Sequence, residues 1–364
     1  MSGETLPSKS APSTRSSIWA LLGSPTVSRI MGVLCLVLTL YFLLMISDAN
    51  ARSLQNHQNL ARRIGEWGIV TLGAAFVIIT GGIDLSIGSV VCLSAVTFGI
   101  LLENGTNPIL ASAIVLVVAG LIGLFHGLLI TKLNLQPFVV TLCGLFIYRG
   151  LAQLLTLIDF KKLHESGFSG AGRLMRDSSR DVGVGGRKDL DWFFFLQNGE
   201  IQGIPTPLIL FFALAVLAGI FLHASVYGRY LFALGYNEQA TRYAGVNTDR
   251  YKILAYFLCS LLAGLGGLLF LMKISSASPS SAGNWFELYA ITGAVLGGTS
   301  LRGGEGTIIG IMLGTAVLPL LKTLVIFAGI PSDMEFSAIG VALLLGTLAD
   351  ELLRRRSESA SKLT

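Results

Sequence analysis

Three short segments hold the polar and glycine-rich residues whose spacing points to work beyond packing. The first runs Thr80-Gly81-Gly82-Ile83-Asp84-Leu85-Ser86-Ile87-Gly88-Ser89. Paired glycines let a backbone turn and let helices approach closely. Asp84 and Ser86 suit the cap of a following helix, and an acid between apolar runs is also a candidate for lining a solute path. The second runs from Gly235 to Gly245. Asn237 is fitted to cap a helix, Glu238 to its first turn and Gly245 to its exit. Ala240, Tyr243 and Ala244 fall on one face, with Arg242 beside them, so a short amphipathic helix able to enter a partner's groove is expected. The third, Gly297-Gly298-Thr299-Ser300-Leu301-Arg302-Gly303-Gly304, reads as a polar turn between two apolar runs. Together these residues suit the passing and gating of a solute. Bond-making chemistry has no visible apparatus: the chain has no GxxxxGK[ST] phosphate loop, no HExxH and no GxSxG. Its four histidines are scattered, and its four cysteines lie inside apolar runs without metal-ligand spacing. No catalytic residue, metal site or ATP site of its own is expected, and the chain reads as a non-enzyme.

The elements that must hold these segments are apolar. Of 364 residues 52% are hydrophobic and only 13% charged, with a mean hydropathy of +0.71. That leaves too little polar surface to cover a water-soluble globule, so lipid is the expected surroundings. A net charge of +5 comes from cations in tails and loops, with no basic helix or aromatic-interleaved patch, so nucleic acid is not expected as a partner. The fold class expected is all-α: a polytopic membrane protein of about ten transmembrane helices, several broken at Gly-rich turns. The spans are read at 30–46, 67–80, 88–102, 109–130, 137–158, 206–224, 253–273, 286–300, 306–328 and 335–353. Two pairs are interrupted, at Gly81-Gly82 and at Gly297-Gly298 with Gly303-Gly304, and paired broken helices are a pointer to a transport path. Both breaks fit GGxxLxxG, as an internal duplication would produce.

Residues 1–29, rich in Ser and Pro, are expected as a disordered cytoplasmic tail, and 30–353 as the membrane domain. Residues 354–364, with Arg354-Arg355-Arg356, form a second basic cytoplasmic tail. Both ends inside require an even number of spans. This places 225–252 in the cytoplasm and 159–205 outside as a polar insertion ending in Trp192-Phe193-Phe194-Phe195. Arg149, within a span, needs a protein partner.

From about Ile64 to Asp350 the chain resembles the permease subunits of ribose, xylose, arabinose and autoinducer-2 type ABC importers, which share a wider family with branched-chain amino-acid permeases. The GGIDLSIGS run, the segment from Asn237-Glu238 to Gly245 and the Gly-Gly-Thr-Ser-Leu run carry the resemblance. It implies a permease in a bacterial inner membrane translocating a ribose-like monosaccharide. It also implies a second permease subunit, identical or homologous, a cytoplasmic ABC ATPase that binds the ATP, and an extracytoplasmic sugar-binding protein. Residues 235–245 would couple to the ATPase, while Asp84, Ser86, Thr299 and Ser300 would add polarity to the path. Branched-chain amino acids or nucleosides as cargo, and an ion-coupled secondary transporter, are the competing readings. The insertion at 159–205 departs from the family pattern.

Overall fold

Breaks in the apolar pattern become helix ends. The computed structural model describes residues 25–158, 179–184 and 188–331, with single positions up to 344. Its helices are α1 (Pro25–Ser47), α2 (Leu54–Ile79), α3 (Ile87–Glu103), α4 (Pro108–Lys132), α5 (Pro137–Leu157), α6 (Asp191–Asn198), α7 (Thr206–Gly219), α8 (Val226–Tyr236), α9 (Glu238–Tyr243), α10 (Thr248–Ile274), α11 (Phe286–Leu296) and α12 (Ile308–Phe327). Six are long and apolar enough to cross a membrane: α1, α4, α5, α10, α12, and α7 with the π-turn that prolongs it to Ala224. The apolar helices α3 and α11 are shorter. They are the elements flanking the glycine breaks, as the sequence pattern requires. The run at 335–353 lies mostly outside the described residues.

Two boundaries differ from expectation. The first helix starts at Pro25, inside what reads as tail, because Val27, Ile30 and Met31 continue the apolar pattern. The second span is the last half of a longer helix that begins at Leu54, capped by the Ser53 hydroxyl. Its first half carries Arg62, Arg63 and Glu66, which hide it from a hydropathy reading. Tertiary partners answer two of these charges: Arg62 pairs with Glu200 at 2.5 Å and Glu66 with Lys273 at 2.5 Å.

The central strut is α10, packed against α2, α3 and α4, and most of the main buried apolar cluster lies on α2, α3 and α10. Large side chains of α4 and α5 face outward, among them Ile109, Val117, Phe125, Phe138 and Phe146. An apolar surface of that extent needs lipid or another protein against it. The described half of the 159–205 insertion is folded. Strand β1 (Val182–Gly183) pairs with β4 (Ser276–Ala277), and β2 (Glu200–Ile201) forms a hairpin with β3 (Ile204–Pro205). Between them α6 buries Gln197 and ties Asn198 Nδ2 to the Met272 carbonyl at 3.1 Å. The remainder of the insertion, and most of the two expected tails, lie outside the described residues.

Candidate functional site

The two glycine breaks share one terminating geometry. At the end of α2, Gly81 donates to Ile78 at 2.8 Å and Gly82 to Val77 at 3.1 Å. At the end of α11, Gly298 donates to Val295 at 2.9 Å and Thr299 to Ala294 at 3.1 Å. Each is the 6→1, 5→2 pair of a Schellman cap with a left-handed residue after the helix: Gly81 at φ 78° and Gly298 at φ 84°. The same cap also ends α3 at Gly105, α9 at Gly245 and α12 at Gly329, so it does not by itself mark the two breaks as a repeat, and it shifts the register of the match. The equivalent residues are Gly81 and Gly298, one position away from the pairing of Gly81 with Gly297 that GGxxLxxG implies, since Gly297 is the last half-helical residue at φ −69°.

Past these caps, three stretches far apart in sequence meet backbone to backbone. The Gly304 amide donates to the Ile79 carbonyl at 2.9 Å. A Cβ built on Gly235 would lie 1.9 Å from that same carbonyl oxygen and 2.3 Å from the Gly304 nitrogen. A Cβ on Gly303 would lie 2.8 Å from both the Gly235 oxygen and the Gly81 nitrogen, and one on Gly304 2.7 Å from the Tyr236 nitrogen. No side chain fits between these stretches. The end of α2, the end of α8 and the loop between α11 and α12 form one joint. Sequence reasoning names Gly81, Gly235, Gly303 and Gly304 separately. It misses Ile79 and Tyr236, which complete the joint.

The chain leaves this joint directly into α9. Asn237 caps it, its Oδ1 accepting from the Ala240 amide at 2.9 Å, and Gly245 ends it at φ 84°. Glu238 holds Lys252 at 2.6 Å and Arg242 at 3.2 Å; Arg242 holds Asp249 at 3.0 Å, and Asp249 holds Lys132 at 3.0 Å. This chain of charges fastens α9 to the first turn of α10 and the last of α4. Thr241 turns inward and is buried, while Ala240, Tyr243 and Ala244 face outward. Tyr236 is 83% exposed and Tyr243 89%, an aromatic pair on an otherwise small-residue face.

Asp84 and Ser86 lie inside the molecule, 2% and 0% exposed. Asp84 Oδ1 accepts from the Ser86 amide at 2.8 Å and from its hydroxyl at 2.6 Å. Ser86 holds the cap position of α3, but its hydroxyl is spent on Asp84 and makes no cap bond. Asp84 is the residue that fixes the turn. Thr299 is also buried, whereas Ser300 is half-buried and accepts from the Arg302 amide at 3.3 Å. The structure thus brings together Gly81, Gly235, Gly303 and Gly304, one or two glycines from each of the three segments. It keeps Asp84 and Ser86 apart, in the interior beneath α3. Arg149 finds its partners in backbone, the carbonyls of Ala282 at 2.5 Å and Pro279 at 3.5 Å.

Comparison with known proteins agrees with this architecture. Residues 56–348 match the family described as branched-chain amino acid transport system / permease component. The ribose import permease protein RbsC of Escherichia coli K12 is 32% identical over 86% of this chain and 91% of its own length. RbsC of Bacillus subtilis 168 is 32% identical over 81% and 84%. The autoinducer 2 import system permease protein LsrC of Yersinia pseudotuberculosis YPIII is 33% identical over 87% and 83%. No solved structure matches the chain. With six bilayer-length apolar helices and a family match across four-fifths of its length, this multi-pass membrane protein belongs to the branched-chain amino acid transport system / permease component family.

Proposed function

We propose that the chain is the translocating subunit of an ATP-driven importer for a ribose-like monosaccharide, set in a bacterial inner membrane with ten spans and both termini cytoplasmic. Relatives named as ribose and autoinducer-2 import permeases support the cargo class. One observation carries the mechanism: the exposed helix α9 is continuous with a side-chain-free joint onto the end of α2 and the loop that follows α11. Coupling between distant sites needs a packed element with two arrangements, and this joint supplies a direct mechanical link. A cytoplasmic ATPase, which binds the ATP, receives α9 in a surface groove. Its closure displaces α9, the joint moves with it, and the helix breaks at Gly81 and Gly298 act as hinges. A second permease subunit faces this one across the path, and an extracytoplasmic sugar-binding protein delivers the cargo.

The test is ATP hydrolysis and sugar uptake in vesicles holding the chain with its ATPase and binding protein. Hydrolysis should rise with loaded binding protein. Glu238→Ala and Arg242→Ala should lower uptake while the protein still inserts. Uptake by this chain alone, driven by an ion gradient and indifferent to ATP, would overturn the reading.

A further inference from the structure

The loop between α10 and α11 does not stay at the end of the bundle. After β4 it turns back along α3. A Cβ on Gly283 would lie 2.3 Å from the Gly88 oxygen and 3.2 Å from Val91 Cγ1, and Cys92 Sγ lies 3.5 Å from the Pro279 oxygen. Val91 in turn abuts Gly267, seven residues before the end of α10 at Ile274. At 1.5 Å per residue, and with Gly88 one turn deeper than Val91, the Gly283 turn sits roughly 10–15 Å inside the end of that helix. Residues 278–285 are a re-entrant loop at membrane depth.

It is clamped there on one side only. Arg149 of α5 grips the Ala282 carbonyl, and Ala282 and Gly283 are buried. On the opposite side Ser280, Ser281, Asn284 and Trp285 are exposed. Irregular backbone at this depth is tolerated only inside protein or against water, and polar side chains there mark solute pathways. Trp285 is 51% exposed and held at φ 69°, a left-handed backbone that a bulky residue adopts only under constraint. Its ring leans on Phe336, centroids 5.9 Å apart, to form an aromatic wall.

Two helix N-termini also converge here, those of α3 and α11. Such ends attract anions, but the Glu287 carboxylate already takes the Gly88 amide, with Arg149 near enough to offset its charge. Asp84 adds a second negative charge near Glu287, so two carboxylates stand against the one guanidinium of Arg149 and leave no positive site for a carboxylate solute.

We infer that Ser280, Asn284 and Trp285 form a contact site for an uncharged polyhydroxylated solute in the translocation path. Hydroxyls bond to Ser280 and Asn284, and a sugar's C–H face rests on the indole of Trp285. This rests on the permease reading and adds where the cargo is touched and why a neutral one is preferred over a carboxylate.

The experiment has an arm independent of transport. In a Cys35→Ser, Cys143→Ser background, Ser280→Cys and Asn284→Cys are treated in open membranes with a charged methanethiosulfonate. Phe146→Cys, on the outward apolar face of α5, serves as control. The two loop cysteines should react and the control should not; loop cysteines as inert as the control would overturn the site. In vesicles with ATPase and binding protein, Trp285→Ala should lower D-ribose uptake about tenfold, as loss of an aromatic contact predicts, and Trp285→Phe should restore most of it. Uptake unaffected by Trp285→Ala, or leucine carried as well as D-ribose, would overturn the sugar contact. If the unmutated complex imports no monosaccharide, the permease reading fails, while the labelling pattern still decides whether the loop faces water.

Discussion

Gly81 and Gly298 hold equivalent places at the two breaks, and each should answer substitution alike. Neither has a close neighbour that a methyl group would strike, the nearest atoms being 3.4 Å and 3.8 Å away. Gly81→Ala and Gly298→Ala therefore isolate the left-handed backbone, and each should cost about 1–2 kcal/mol, read as a lowered unfolding temperature in detergent. Gly235→Ala differs: its φ is ordinary, but the new methyl group meets the Ile79 carbonyl. Uptake should collapse there while insertion persists. Single residues were legible where the chemistry is local. Asn237 caps α9 as its type and place imply, because the bond spans only three residues. Ser86 misled for the same reason in reverse, since Asp84, two residues away, competes for its hydroxyl.

Among the elements, α9 is the one whose surface makes a prediction. Its charges are partly exposed, and such ion pairs each contribute about 0–1 kcal/mol, so Lys252→Ala should leave thermal stability nearly unchanged. Tyr243 is a different case. Exposed tyrosines on small-residue faces are common anchors of protein interfaces, and loss of one costs about 2 kcal/mol or more. Tyr243→Ala should weaken co-purification with the ATPase by roughly 30-fold in apparent affinity, with insertion intact; undiminished co-purification would remove α9 from the interface. The element itself was readable from Asn237 through Gly245. Helix α2 was only half readable, because the partners that make Arg62 and Glu66 acceptable, Glu200 and Lys273, lie well over a hundred residues away.

At the scale of the whole molecule, sidedness is the open measurement. A cysteine at position 243 should be labelled by impermeant reagent only from the cytoplasm, and one at the exposed Trp192 of α6 only from outside. The reverse pattern would invert the proposed topology. The apolar character of the chain and the two breaks were legible because hydropathy and glycine spacing are written along the chain. The joint of Ile79, Gly235 and Gly304 was not, since it exists only where three distant stretches fold together. Its makeup has a mechanical consequence. Side chains in a contact can change rotamer and absorb a displacement of an ångström or so before anything behind them moves. Here main chain rests on main chain, so there is no such slack. A small shift of α9 arrives directly at the Gly81 hinge and at the Gly303-Gly304 turn, and the linkage behaves as a rigid lever with no cushion at its fulcrum.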